Sequence, residues 1–510
     1  MKREFALKSF AQYLSIALLS VAFSSFTLWL VDSWIKYPLF LFEIIVIIVL
    51  FLVMNNYDFK IAFRRHTMFK FTSAGVLIDI ILILSSLILL ITNLLPTSLG
   101  IIQLILALLC TSLLSGYALL NISGIRKYFS TLETIVLSYV SSYLLTAFIS
   151  LATLLLPETT RISIILSIFI GLGVASMFKH RKTKIYTTTK SFAKNIDVLA
   201  IILVLAFYAL SFYFLYPGFA LLPGTDISRH YASSIVLNRS PDLYIGFVYL
   251  FAHLHESTFI GLSSASLTSI QTALVMLNLI LPLAFYIMAK AYLERIDARL
   301  PSLATLFWVL FTNSFGGFAW LYFAQSKLST TGQSQLQLLS STADKTYNGI
   351  VYGIFGLWYV PATISFILLM VAIFLLGKGE VERKRYLLLF SFLVAALYLT
   401  HVTESVVLIL FLAFFALISK NGNYRVDGVL KSSIVGMVIV IAVYYVLSQI
   451  TTRFTMNTSL LISVIAPILA STFALMFRRY IRQKLSIFRN PFRIDRKLLG
   501  KTVVLTLFFG

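Results

Sequence analysis

Residues 223–256 bring together several side chains that could do acid–base or binding chemistry. A carboxylate beside a helix start, such as Asp226, can act as a general base when partial burial moves its pKa toward the working pH. A helix predicted from Ile227 would place Asp226, His230 and Ser233 or Ser234 on one face. Asp226 could instead cap that helix, and both roles can hold at once. The same stretch contains Arg229, Asp242, His253, His255 and Glu256.

A metal site is a second interpretation of these residues. Asp, Glu and His are acceptable ligands for Zn²⁺ or Mn²⁺. However, His253-Leu254-His255-Glu256 is not the helical His-Glu-x-x-His motif, and the wider spacing fits no zinc motif. The lone Cys110 excludes a cysteine-based metal site and an intrachain disulfide. We therefore expect no cofactor, with a divalent metal as the less favoured alternative.

Three further polar residues stand beside or inside apolar runs. His401 and Glu404 occupy the tip of a predicted helical hairpin, where they could line the same cavity or simply satisfy polar groups of the turn. Asp79 lies within an apolar run, and an acid inside a membrane helix is by default a candidate functional residue. Because it falls about two turns from the predicted inner face, we expect it to snorkel toward water.

The elements that position these residues are membrane helices. Apolar residues make up 59% of the chain and charged residues 12%, in blocks that approach or reach the about 20 residues of a spanning helix. No long alternation with period two indicates a membrane barrel. The sequence predicts an all-α polytopic bundle of about 14 to 15 membrane helices. They are predicted near 10–31, 39–54, 73–95, 99–121, 133–156, 162–178, 196–217, 268–293, 301–323, 351–376, 386–400, 404–419, 432–450 and 460–477.

The net charge of +22 follows the membrane topology. Of the 41 Lys and Arg, all but seven fall in one alternate set of loops, which is the positive-inside pattern with the N-terminus inside. We therefore expect contacts with membrane lipid and no nucleic-acid partner. The absence of obvious eukaryotic targeting signals favours a prokaryotic plasma membrane. The seven outer cations are Lys36, Arg161, Arg229, Arg239, Lys327, Lys345 and Arg453.

The basic, threonine-rich stretch 179–195 is the best candidate boundary. It predicts an N-terminal six-helix region over 1–190, of unknown role, and a second membrane domain over 191–510. The charge pattern also requires that 227–262 does not cross, so we expect outer helices lying in or on the interface there. Phe10–Val31 is predicted to be a retained first helix rather than a signal peptide. The final apolar run, 502–510, is too short to span, so we expect the chain to continue.

The order of features over about 196–450 resembles that of membrane-embedded glycosyltransferases of the GT-C class. The matching pieces are helix 196–217, the outer Gly224-Thr225-Asp226, the turn Ser240-Pro241-Asp242-Leu243-Tyr244, the aromatic Phe247-Val248-Tyr249-Leu250 and helix 268–293. The family commonly has Tyr-Pro-Pro or Lys-Pro-Pro at the turn, where this chain has Ser240-Pro241-Asp242. No Asp-x-Asp occurs in the outer loops, so sugar and acceptor stay open.

The resemblance implies a GT-C-like fold and a function. The enzyme would move a hexosyl or pentosyl group from a polyprenyl-phosphate sugar donor to a glycan, lipid or protein acceptor at the outer or luminal face. Asp226 would be the general base, while Arg229 and Lys345 would stabilise the leaving phosphate. The other substrate-binding residues would be His230, Tyr244, His253, His401 and Glu404.

Two other classes of function stay open. A multi-pass transporter or a flippase for lipid-linked glycans would carry charges in mid-membrane, paired broken helices and an internal repeat. Few intramembrane charges and no repeat are evident here. A structural or assembly protein would not gather acids and cations in its outer loops. The enzyme is therefore the favoured interpretation.

Overall fold

The computed structural model of the chain describes residues 71–95, 98–182, 225–265, 267–294, 300–308, 360–378, 383–418, 424–450 and 457–485, with 202, 296 and 454 as single residues. These residues are almost entirely helical, and no strand occurs among them. The predicted all-α fold class is therefore confirmed. The predicted helices 10–31, 39–54 and 196–217 lie outside the described residues, as does most of 301–323.

The described helices match the predicted apolar runs closely. Short 3-10 turns occur at Arg126–Tyr128, Pro241–Leu243, Phe247–Tyr249 and Leu277–Leu279. A π-helical segment, Cys110–Leu114, joins α2 to α3. The helices are α1 Phe71–Leu94, α2 Ile101–Leu109, α3 Ser115–Ile122, α4 Thr131–Ala152, α5 Glu158–Lys182, α6 Thr225–Arg239, α7 Leu250–Ser263, α8 Leu267–Met276, α9 Ile280–Leu293, α10 Leu300–Phe307, α11 Pro361–Gly377, α12 Arg383–Thr400, α13 Val402–Ile418, α14 Tyr424–Ile450 and α15 Thr458–Leu485.

Seven spans among the described residues are long and apolar enough to cross a membrane. The predicted hairpin arms near 386–419 are shorter apolar helices, as expected from their length. The protein is thus an integral membrane protein with a polytopic helical bundle. The seven spans are Gly75–Leu94, Ile101–Ile122, Thr131–Ala152, Glu158–His180, Ser269–Leu293, Gly428–Gln449 and Thr458–Phe477.

Small residues let helices of the bundle approach closely. Gly116 of α3 packs against α4 so tightly that a Cβ would lie 2.0 Å from the carbonyl oxygen of Ser138. Ser142 Oγ accepts a hydrogen bond from the Gly116 backbone N–H at 2.7 Å. Gly436 of α14 makes the same kind of approach to α12, 2.7 Å from the oxygen of Ser391. Small residues and short hydroxyl bonds of this kind are typical of helix association in lipid.

One charged residue is placed differently from its prediction. Asp79 of α1 does not snorkel; it is completely buried, and its Oδ2 lies 3.4 Å from His180 Nε2 on α5. The reason is Gly75, one turn earlier, whose missing side chain leaves room for the imidazole: a Cβ there would lie 2.5 Å from His180 Cε1. Because α1 and α5 therefore pack closely, the carboxylate is covered rather than open to water.

The segment between α6 and α8 is inserted into the bundle. Every residue of α7 except Ile260 and Gly261 is buried, and α7 packs against α2, α4, α5, α6 and α12. At 14 residues it is too short to span, in agreement with the charge pattern, but it is enclosed by helices rather than spread on a surface. Its last turn is held by Gln103 of α2, whose Nε2 donates to the Leu262 carbonyl at 2.8 Å. This donor satisfies one of the open carbonyls at the helix end.

Candidate functional site

A directed chain of hydrogen bonds crosses the contact between α6 and α7. His230 Nδ1 lies 2.9 Å from His253 Nε2, and His253 Nδ1 lies 2.6 Å from the hydroxyl of Tyr244. Since Tyr244 donates its own proton to the Gly246 carbonyl at 2.5 Å, it must accept from His253. In neutral rings, His253 then carries its proton on Nδ1 and accepts at Nε2 from His230. The chain fixes both tautomers and leaves the lone pair of His230 on Nε2.

Glycine is required where this chain of hydrogen bonds ends. A Cβ on Gly246 would lie 2.8 Å from the Tyr244 hydroxyl and 2.9 Å from His253 Nδ1, so only glycine leaves the turn its shape. Tyr244 is 1% exposed, and this burial raises the pKa of its phenol well above the ordinary value. The phenol therefore stays a proton donor at every physiological pH, which keeps the direction of the chain fixed.

Glu256, one turn after His253 on α7, is the carboxylic acid next to the His230–His253–Tyr244 chain of hydrogen bonds. Its Oε2 accepts a hydrogen bond from Ser234 Oγ at 2.7 Å, and the residue is 3% exposed. Burial raises the pKa of this carboxyl to about 7, against the opposing effects of Ser234 and His230. The predicted face of α6 that carries His230 and Ser234 is thus turned toward α7 and an acid that titrates near neutral pH.

The far side of α7 is joined to helices of the N-terminal region. His255 Nε2 lies 3.3 Å from the carbonyl oxygen of Thr111, within the π-helical segment. Burial lowers the pKa of His255 to about 4, so the ring is neutral and donates to this oxygen. Its ring also packs on Tyr143, whose hydroxyl lies 2.7 Å from Thr400 Oγ1 at the hairpin tip. Short π-helical segments are frequent at functional sites because they change which carbonyls are paired.

Tyr249 connects the histidine chain to a cavity. Its ring meets His230 edge-on at 4.8 Å and stacks on His401 at 5.6 Å. His401 Nδ1 is in turn hydrogen-bonded to Glu404 Oε2. Tyr249 and His401 form one wall of a cavity of about 580 Å³. Its other polar lining groups are Thr403, Asn457, Ser459 and Ser463.

The predicted site residues fall into three groups. His230, Tyr244 and His253 are directly bonded to one another, and His401 and Glu404 lie beside them at the cavity. Arg229 is exposed on α6. Asp226 belongs to the first turn of α6, but its side chain lies outside the described residues, as does the whole of Lys345.

The metal alternative gains no support from the described side chains. Among them, no group of three or more His, Cys, Asp and Glu is placed to hold a metal ion. The two histidines that come closest, His230 and His253, face each other at hydrogen-bond distance, which uses the nitrogens a shared metal would need.

Sequence reasoning missed several residues around this site. Tyr249 was noted only as part of an aromatic run, yet it is the contact between the histidine chain and His401. Thr111 and Tyr143 come from the region whose role was left open. No sequence signal marks the π-helical segment. For Tyr249, its position within the quoted aromatic run is the signal that could have been used.

Comparison with known proteins adds no relative: no family model, curated protein or solved structure matches the chain. The fold and the site therefore define the class, a polytopic α-helical membrane protein with a polar histidine–tyrosine–carboxylate cluster beside a cavity.

Proposed function

We propose that this protein is a membrane glycosyltransferase that moves a hexosyl or pentosyl group from a polyprenyl-phosphate donor to an acceptor hydroxyl at the outer or luminal membrane face. The observation that carries the proposal is the cavity of about 580 Å³ beside the His230–His253–Tyr244 chain. Ligand pockets of about 300–1,000 Å³ with aromatic walls and a few polar groups are typical of small-molecule sites.

The lining of the cavity suits a ligand that is polar at one end and apolar at the other. Hydroxyl and amide side chains lie inside, and the Tyr249 ring offers an apolar face beside a polar tip. At the rim, Ile245 is 73% exposed and Val248 37% exposed. Exposed apolar side chains on a membrane protein contact lipid, so a polyprenyl chain could lie there while its sugar phosphate enters the cavity.

In the proposed reaction, the acceptor oxygen attacks the anomeric carbon of the donor. The bond from that carbon to the phosphate oxygen breaks, and the polyprenyl phosphate leaves with the electron pair. Asp226, one helical turn before His230, takes the acceptor proton as general base. Arg229 and Lys345 would balance the charge of the departing phosphate. His230, whose ring the hydrogen-bond chain holds in place, would contact a sugar hydroxyl.

The proposal is tested by sugar transfer in proteoliposomes from labelled polyprenyl-phosphate hexose and pentose donors. We expect transfer by the wild type and a loss of at least about 100-fold in Asp226→Asn. The matched control is Glu294→Gln, because Glu294 is exposed at the end of α9, and Lys290, at 3.8 Å, is its ion-pair partner among the described residues. Equal transfer by wild type and Asp226→Asn would move the base elsewhere, and no transfer from any donor would contradict the proposal.

A second function, proton-coupled transport or flipping of a lipid-linked glycan, is favoured by the buried Asp79 and His180. Asp79 is completely buried, with Oδ2 3.4 Å from His180 Nε2, and a buried membrane acid is a usual element of proton relays. Vesicles with a fluorescent lipid-linked glycan and an imposed pH gradient separate the two functions. Gradient-dependent movement lost in Asp79→Asn, with no sugar transfer, would replace the enzyme by a transporter.

A further inference from the structure

A second cavity, of about 570 Å³, lies at the opposite end of α6 from the histidine chain. The α4–α5 turn forms one side and the end of α6 with the following 3-10 turn forms the other. Asn238 is eight residues after His230, which places the two sites about 12 Å apart along the helix axis. The polar lining residues are Glu158, Arg161, Asn238, Arg239 and Asp242.

Arg161 is the unusual member of this lining. It is 2% exposed and lies in the first turns of α5. Its Nη2 donates to the Asn238 carbonyl at 3.1 Å and to Asn238 Oδ1. Its Nε and Nη1 make no hydrogen bond to any other described residue, and it forms no ion pair with a described carboxylate. Glu158 opposes the charge of the guanidinium, but a covered N–H donor without an acceptor is costly, so Nε and Nη1 favour a ligand with acceptor oxygens.

The neighbours of Arg161 hold the guanidinium in place, and Glu158 also offsets its charge. Asn238 Nδ2 donates to Glu158 Oε1 at 2.5 Å, and Ser257 Oγ donates to Asn238 Oδ1 at 3.3 Å. Asn238 therefore joins Glu158, α7 and Arg161 and fixes one edge of the planar guanidinium. The remaining donors, Nε–H and Nη1–H, point in different directions, so each can donate a separate charge-assisted hydrogen bond to an acceptor oxygen such as that of a phosphate.

We propose that this cavity binds the phosphate of a phospholipid headgroup, with Nε and Nη1 of Arg161 as the main hydrogen-bond donors and Arg239 as a second cation. The carboxylate of Glu158, which lines the same cavity, would receive a hydroxyl or amino donor next to that phosphate. The rim supports a lipid source, because Leu155 is 70% exposed and Leu156 39% exposed at the cavity mouth.

The experiment uses the full-length protein in detergent, titrated separately with dihexanoyl phosphatidic acid and with inorganic phosphate, and read by calorimetry. We expect phosphatidic acid to bind and Arg161→Gln to weaken it by at least about tenfold, since hydrogen bonds to charged groups are the strong ones. Arg161→Lys should recover part of the loss. Lys127→Gln, which removes an exposed cation elsewhere, is the charge-matched control and should bind as the wild type does.

Arg239→Gln keeps the test decisive if Arg161→Gln does not fold, because Arg239 is exposed and its loss should weaken binding a few-fold without unfolding the protein. Equal, Arg161-dependent binding of inorganic phosphate would overturn the lipid source, leaving a free phosphate as the ligand. Binding that is the same in wild type, Arg161→Gln and Arg239→Gln, or no binding of either probe, would overturn the site. These results do not depend on sugar transfer.

Discussion

Buried polar groups are hydrogen-bonded differently at the two ends of α6. At the His230 end, each buried donor is matched by an acceptor, from His230 through His253 and Tyr244 to the Gly246 carbonyl. At the Asn238 end, a buried arginine is held by one edge while its other edge has no described partner. A closed network of neutral groups rigidifies a site, whereas covered N–H donors of a cation without acceptors favour an anionic ligand. The first end is therefore suited to positioning and the second to capture of an anion.

The substitution with the largest expected effect is His253→Ala, which removes the middle of the closed network. It leaves Tyr244 and His230 without their partners and opens a void, so we expect a loss of about 3–5 kcal/mol in stability. Sugar transfer should fall by at least about 100-fold. Thermal unfolding and the transfer assay measure both effects.

His253→Ala also tests whether the two ends are independent. The affinity for dihexanoyl phosphatidic acid should stay within about two-fold of the wild type, because additivity holds for distant sites without shared partners. A parallel loss of sugar transfer and of phosphatidic acid binding in a folded variant would mean that α6 couples the two cavities. The two ends of α6 would then not be independent.

The pH dependence of stability is the next test of the difference between the two ends of α6. Burial raises the pKa of Glu256 from 4.5 to about 7, so between these values the folded state holds a proton that the unfolded state releases. The contribution of Glu256 to stability is then fully present below pH 4.5 and is lost as pH rises to about 7, by a few kcal/mol in total. We expect Glu256→Gln to remove this dependence and Glu294→Gln to retain it. The unfolding midpoints of both variants at pH 5 and pH 8 measure this dependence. An unchanged dependence of stability on pH in Glu256→Gln would show that Glu256 is not its source.

Asn238→Ala is the corresponding change at the open end. It removes the acceptor that holds Arg161 and the donor to Glu158, so we expect a loss of about 1–3 kcal/mol. Phosphatidic acid binding should weaken several-fold while sugar transfer stays near the wild-type rate. Unchanged binding in this variant would show that Asn238 does not orient the guanidinium.

The sequence was sufficient for the fold class because apolar runs and charge asymmetry report on lipid directly. Both ends of α1, α12 and α13 fall within three residues of the predicted ones, since each run is interrupted by polar residues, whereas α14 begins eight residues earlier and α15 ends eight residues later than predicted. It was not sufficient for α7. An apolar stretch with His253, His255 and Glu256 reads equally as an interfacial helix or as one enclosed by others, because both bury one side and the contacts arise only in the bundle.

The sequence identified several residues of the site but not the hydrogen bonds between them. His230 and His253 were named separately, and nothing in their spacing of 23 residues indicates a direct hydrogen bond. Arg161 was counted only as an outer cation, because its burial depends on how the α4–α5 turn meets Asn238. Asp79 was expected to reach water, and the deciding residue was a glycine one turn away. Tertiary packing, which local patterns do not report, decides all three.

The smallest expected effect comes from Tyr244→Phe, which removes one hydroxyl at the closed end. His253 Nδ1 then loses its acceptor and the fixed tautomer, so we expect a cost of about 1–2 kcal/mol and a fall in transfer of about tenfold. Tyr445→Phe is the matched control, because Tyr445 on α14 is 68% exposed. A positioning role predicts that the pH profile of transfer also changes, since either ring nitrogen of His253 can then carry the proton. A lower stability with an unchanged profile would assign Tyr244 to packing alone.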